Sequence, residues 1–159
     1  MNHTILAVGR LSESYWRQAC DEYLKRLGRF GKCVVLELPE QRLGKRPSAA
    51  EIAQAVEVEG RAMLERLPKR AHICGLFVEG ERRSSEQLAE LVGALPREGF
   101  SEAVWLIGGS HGMSAQVAAA CQKKLSFSEL TFPHQLMRVL LCEQLYRAET
   151  ILAGMEYHK

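Results

Sequence analysis

No stretch of this sequence approaches the roughly 20 apolar residues that a membrane-spanning helix needs. The first apolar run, residues 5–8 (ILAV), closes on Gly9 and is too short for a signal-peptide core. A cytoplasmic protein with no membrane partner is expected. Glycine (13) and proline (5) are too sparse in 159 residues for a linker or a collagen-like chain. Cysteine is odd in number, and Cys20, Cys33, Cys74, Cys121 and Cys142 contain no C-x-x-C pair. With His3, His72, His111, His134 and His158 they form no ligand-spaced set, so neither a disulfide framework nor a metal site is expected. Buried free thiols in a reducing compartment fit better. Strong charge of one sign is also missing. The formal net charge is +2, and the isoelectric point of 8.3 lies below the value of about 9 typical of a dedicated nucleic-acid module. Charge allows an RNA partner without arguing for one. The short basic clusters Arg42/Lys45/Arg46, Arg82/Arg83 and Lys123/Lys124 read as solvated loop or helix residues on their own.

What remains is an ordinary globular composition, 47% hydrophobic and 25% charged. A single domain over residues 1–159 is expected, large enough to bury roughly 68–70% of its unfolded surface. Residues 4–9 (TILAVG), 33–38 (CVVLEL), 72–78 (HICGLFV), 103–107 (AVWLI) and 124–128 (KLSFS) read as strands. Between them run helical patterns. Ser12 or Ser14 opens the first, which closes at Gly28. Ser48 opens the second with Glu51 three residues on, a capping box, and the helix runs to about Leu67. Ser84 or Ser85 begins the third and Ser114 a short fourth. Pro133 introduces the last, which reaches about Ala153. The order βαβαβαβαβα predicts an α/β fold, a mostly parallel sheet with helices on both faces. Ligands of such sheets bind at the carboxyl ends of strands, here at the loops 79–83, 108–113 and 128–133.

Two of these loops invite a ligand. Gly108-Gly109-Ser110-His111-Gly112 lets backbone approach closely, because no Cβ intervenes. It lacks the lysine of a phosphate loop; a tight strand-to-helix turn would need the same glycines. In residues 125–133 (LSFSELTFP), Phe127, Leu130 and Phe132 could line a slot for a flat heterocycle or simply pack in the core. The last helix is apolar over a wide arc, through Leu136, Met137, Leu140, Leu141, Leu145 and Leu152, which suggests a subunit contact and a two-fold dimer. Glu143 and Arg147 are spaced to pair with each other. Arg138 has no intrahelical partner and could face a substrate. Tyr157 and His158 end the chain and either fray or fold over a site. His134, beside Pro133, could serve as a cap or a base.

The segments LAVGRL (6–11), DEYLKRL (21–27), IGGSHG (107–112), LSFSELTFPH (125–134), TFPHQLMRVLLCEQLYRA (131–148) and YHK (157–159) together resemble one family along the whole chain. It is the ribosomal RNA large subunit methyltransferase H family, the bacterial 23S rRNA pseudouridine N3-methyltransferases. The resemblance implies a homodimeric SPOUT-class enzyme with a C-terminal trefoil knot and S-adenosylmethionine as methyl donor. Its implied substrate is the pseudouridine at position 1915 of 23S rRNA, in the RNA's own numbering, in assembled ribosomes. A ribosome-associated factor of the same fold without activity is the alternative. Carried over by position, the donor site falls on Leu76, Gly108, Phe127, Ser128, Glu129, Leu130, Thr131 and Phe132. His134, Arg138, Tyr157 and His158 match polar positions of the family pattern. One departure is visible, Gly80-Glu81 where the pattern has Gly-Lys, followed by Arg82 and Arg83. On this reading His158 or His134 is the base or proton relay for N3, and Arg138 stabilises charge on the flanking carbonyl oxygens. Tyr157 stacks on the target base or hydrogen-bonds it.

Overall fold

A computed structural model describes all residues, 1–159. Five strands form one parallel sheet: β1 (Asn2–Val8), β2 (Cys33–Leu38), β3 (His72–Arg82), β4 (Glu102–Ile107) and β5 (Lys123–Ser126). Their spatial order is β2-β1-β4-β3-β5. Helices α1 (Ser14–Leu27), α2 (Ala49–Leu64), α3 (Ser85–Ala94), α4 (Ala115–Ala120) and α5 (His134–Leu152) alternate with them. The central strands read as unbroken apolar runs because both faces are covered. Along β1, Ile5 and Ala7 point into a core shared with α1, α3 and α5, while Leu6 and Val8 point into a smaller core with Met63 of α2 and Val117 of α4. Trp105 and Leu106 divide β4 in the same way.

Helix starts follow the sequence closely where the partner is local. Ser48 and Glu51 form the expected capping box, Ser84 forms another with Gln87, and Ser114 accepts from Val117 N–H. Helix α1 differs. Its N-cap is Glu13, with no side-chain bond to the helix, and Ser12 instead bonds Gln135 of α5 through both backbone N–H (2.7 Å) and hydroxyl. Helix α2 stops at Leu64, three residues before the expected Leu67, and turns through 65–67 towards Pro68.

Strand β3 is longer than the expected 72–78. It pairs with β5 up to Leu76, bulges, and pairs again at Glu81 and Arg82. Gly80 makes this possible: a Cβ there would lie 2.4 Å from the Leu125 carbonyl carbon.

Helix α5 packs between α1 and α3 against the sheet. Its wide apolar arc is therefore largely covered within one chain. Leu141, Cys142, Leu145 and Ala148 are buried, while Leu136 and Leu140 are half-buried and Leu152 is exposed. Two buried polar groups fix it lengthwise. Near its start, Arg138 ion-pairs with Glu37 of β2 and donates to Gly9 O at 2.8 Å. Near its end, Glu149 lies 2.9 Å from His3 Nε2, and Trp105 Nε1–H donates to His3 Nδ1 at 3.1 Å. Since Nδ1 accepts, Nε2 carries the proton and donates to Glu149.

Candidate active site

The carboxyl ends of β3, β4 and β5 open into a cleft of about 650 Å³, within the range of small-molecule sites. Three loops and the first turn of α5 wall it. Leu76, Phe77 and Val78 come from β3. Ile107, Gly108, Gly109 and Met113 come from the end of β4 and the turn beyond. Phe127, Ser128, Leu130, Thr131 and Phe132 come from the β5–α5 loop, and His134 and Met137 from α5.

The glycine turn is built by close approach. A Cβ on Gly108 would meet the Gly112 carbonyl oxygen at 2.7 Å, and Gly112 itself holds φ +83°. Gly112 N–H donates to Gly109 O at 3.1 Å and closes the turn. The β5–α5 loop is held by its own serines. Ser126 Oγ donates to Ser128 O at 2.9 Å, and Leu130 N–H donates to Ser128 Oγ at 3.0 Å. The alternation of serine and apolar residues in 125–130 thus encodes an ordered loop that presents apolar side chains to the cleft. Behind the turn, the buried Glu59 carboxylate accepts from Gln41 N–H at 2.7 Å, and burial pushes its pKa up.

Seven of the eight residues expected around a donor line this cleft: Leu76, Gly108, Phe127, Ser128, Leu130, Thr131 and Phe132. Glu129 does not. It is exposed and ion-paired with Arg82 at 2.9 Å, because the loop turns its carboxylate outward to the cation after Glu81. His134 lines the cleft at its rim, where a Cβ on Gly9 would lie 3.4 Å from His134 Nε2. Sequence reading did not mark Phe77, Met113 and Met137 as lining residues; Met113 follows the glycine turn, and Phe77 and Met137 reach the cleft from within β3 and α5.

Arg138 lies apart from this lining. It is 1% exposed, held by Glu37 and Gly9 O, and does not line the cleft. The missing intrahelical partner is supplied by another strand rather than by a substrate. The tail also lies elsewhere within its own chain. Tyr157 OH donates to Glu143 Oε1 at 3.0 Å, its ring packs edge-on to Tyr146, and the Arg147 guanidinium sits over it. Burial, with hydrogen bonds to Tyr23 and Glu143, raises the Tyr157 pKa well above its ordinary value, so the hydroxyl keeps its proton. His158 Nε2 lies 2.8 Å from Glu86 Oε1. Ser84, the Glu86 backbone N–H and His158 together hold the Glu86 carboxyl down at about 2. Glu143 and Arg147 pair as spaced, at 3.0 Å. No three His, Cys, Asp or Glu side chains converge in a way that could hold a metal ion. All five cysteines are free.

The cleft lining carries no Lys or Arg to offset a polyphosphate. Its walls are apolar with hydroxyl and backbone polar groups, which suits a heterocycle bearing few negative charges. The chain is 43% identical over 159 residues, all of both chains, to Ribosomal RNA large subunit methyltransferase H of Bacillus cytotoxicus. Its fold is similar to that of a "probable methylase family protein" from Haemophilus influenzae Rd KW20, with a TM-score of 0.53 at 11% identity, covering 99% of this chain and 70% of that one. It is also similar to TrmJ from Z. mobilis ZM4, with a TM-score of 0.51 at 15% identity, covering 92% of this chain and 68% of that one. A family model described as "Predicted SPOUT methyltransferase" matches residues 1–158, and the chain belongs to the SPOUT methyltransferase family.

Proposed function

We propose that this chain transfers a methyl group from S-adenosylmethionine to N3 of a pseudouridine in 23S rRNA, at position 1915 of that RNA, in assembled ribosomes. The observation that carries the reading is the cleft at the strand ends, apolar and free of cations, in a chain of this family. The full-length likeness to a relative named for methylating large-subunit RNA supports the substrate class. Residues 1–159 act as one domain, in the cytoplasm.

The donor, when bound, supplies an already electrophilic methyl group. Leu76, Phe127, Leu130 and Phe132 form apolar walls suited to an adenine ring, and the backbone of 108–112 and 127–132 offers amides and carbonyls to its edge. Glu129 lies outside this set. The protein's share of the chemistry is to fix the target imide in line and to take its N3 proton. His134, at the rim, has the position to accept that proton. Arg138 acts as a positioning residue: by gripping Gly9 and Glu37 it sets the first turns of α5, and His134 with them.

Tyr157 and His158 meet a cleft in one of two ways. They leave Glu143 and Glu86, or they reach the cleft of a second copy in a homodimer; His158 then shares proton transfer and Tyr157 stacks on or bonds the base. Half-buried Leu136 and Leu140, exposed Leu152 and exposed Met155 are the apolar surface left for that dimer. A trefoil knot is also part of the reading. In its favour, the chain leaves edge strand β5, passes over the strand ends to Gly9, and then descends between α1 and α3.

The test is transfer from labelled donor to ribosomes of cells lacking this protein, followed by mass spectrometry of the RNA. One added methyl on that pseudouridine is expected. Ribosome binding without transfer would overturn the enzymatic reading and leave the inactive-factor alternative.

A further inference from the structure

Four strand-end loops share a seam on the rim of the cleft. A Cβ on Gly9 would lie 3.4 Å from His134 Nε2 and 3.5 Å from Glu40 Oε2. Glu40 Oε1 in turn accepts from Ser110 Oγ at 2.9 Å. The loop between β2 and α2 is fastened a second time, where Gln41 N–H donates to buried Glu59. The other Glu59 oxygen would lie 3.0 Å from a Cβ on Gly109. The segment after Gln41 is therefore carried on a fixed base against the glycine turn.

That segment is basic and its charges are free. Arg42, Lys45 and Arg46 are exposed, and none lies within 4.0 Å of a carboxylate. Arg10, just after β1, is exposed and equally free. The neighbouring cations Arg82 and Arg83 are already paired, with Glu129 and Glu81. Of the carboxylates at these strand ends, Glu37 is engaged by Arg138, Glu40 by Ser110 and Glu59 by Gln41 N–H, and Glu37, Glu40 and Glu13 are all exposed. Isolated surface cations are usually just solvated. Here they stand together, unpaired, on a loop tied to the wall of a cleft that contains no cation of its own. A nucleic acid whose base enters that cleft must have its phosphates neutralised outside it. Tyr15, in the first turn of α1, is an exposed aromatic residue that packs against Trp16.

Resting on the RNA-methylation reading above, the geometry points to the β2–α2 loop, through Arg42, Lys45 and Arg46 and joined by Arg10, as the surface that holds the RNA phosphate backbone beside the target base. These contacts position the strand and carry no sequence information.

The test compares two charge-matched full-length variants, R42Q/K45Q/R46Q and R66Q/K69Q/R70Q. The second set is exposed and lies at the opposite, amino-terminal end of β3. Ribosome co-sedimentation across a salt series, methylation kinetics, and S-adenosylhomocysteine calorimetry are read for each. The loop variant should lose about tenfold or more in ribosome affinity, and its log–log salt slope should flatten by about 2 to 3. Its KM should rise while kcat and homocysteine-product affinity hold. The control should match the wild type. Equal losses in both variants, or none in the loop variant, would overturn the assignment. If the wild type sediments with ribosomes yet transfers no methyl, the catalytic reading fails, and the surface is still decided by the sedimentation comparison.

Discussion

At Gly108 a single methyl group would disturb the cleft wall directly. A Cβ there would sit 2.7 Å from the Gly112 carbonyl oxygen and 2.8 Å from Met113 Cγ, both part of the turn that walls the cleft. Gly108→Ala should weaken S-adenosylhomocysteine binding by about tenfold, a loss of roughly 1.4 kcal/mol, with a small change in melting temperature; calorimetry and a thermal scan separate the two. His134→Asn should lower kcat on ribosomes by about 10²–10⁴-fold if the ring takes the N3 proton, and single-turnover kinetics reads this directly. Arg138→Met should act through stability. Its loss strands Gly9 O and Glu37, but Glu37 is partly exposed and can re-solvate. About 2 kcal/mol is expected from urea unfolding, less than for a fully buried pair. At this scale the sequence was readable wherever a residue type has one local use, as with the Ser126–Ser128 loop. It did not reveal the ion pairs of Arg138 and Glu129, whose partners Glu37 and Arg82 lie far away in the chain.

Helices and strands divide along the same line. The capping boxes at Ser48 and Ser84 could be read directly, because donor and acceptor are three residues apart. Ser48→Ala should cost about 1 kcal/mol, visible as a lower urea midpoint with an unchanged slope. Ser12 looked like an equally good cap for α1, yet its hydroxyl is taken by Gln135. The second pairing of β3 with β5 was equally hidden, since alternation along 77–82 says nothing about a bulge that only Leu125 defines. The breadth of the apolar arc on α5 was visible. Its main cause, burial between α1 and α3, needed the packing itself.

The molecule as a whole should become less stable in mild acid. His72 is buried against Phe100 with neither ring nitrogen bonded, and desolvation lowers its pKa from 6.5. The unfolded chain therefore binds this proton more readily than the folded one. The contribution is fully present above about pH 6.5 and is lost as pH falls below it. Denaturant titrations at pH 7 and pH 5 should show a fall in stability that His72→Leu reduces. The all-parallel sheet gives the other whole-molecule result: every strand delivers its carboxyl end to one side, so the cleft, the glycine turn and the free basic loop share that side.

The order of strands and helices, the doubly covered sheet and the segments that meet at the cleft could be read from the amino-acid order alone. Those depend on apolar periodicity, capping and glycine placement, which act over a few residues. The burial of Arg138, the outward turn of Glu129, the resting of the tail on α3 and α5 and the fastening of the basic loop to the glycine turn by Glu59 emerge only from the folded chain. Each of these is a polar group choosing among partners distant in sequence. That choice depends on which partner burial leaves within hydrogen-bonding reach.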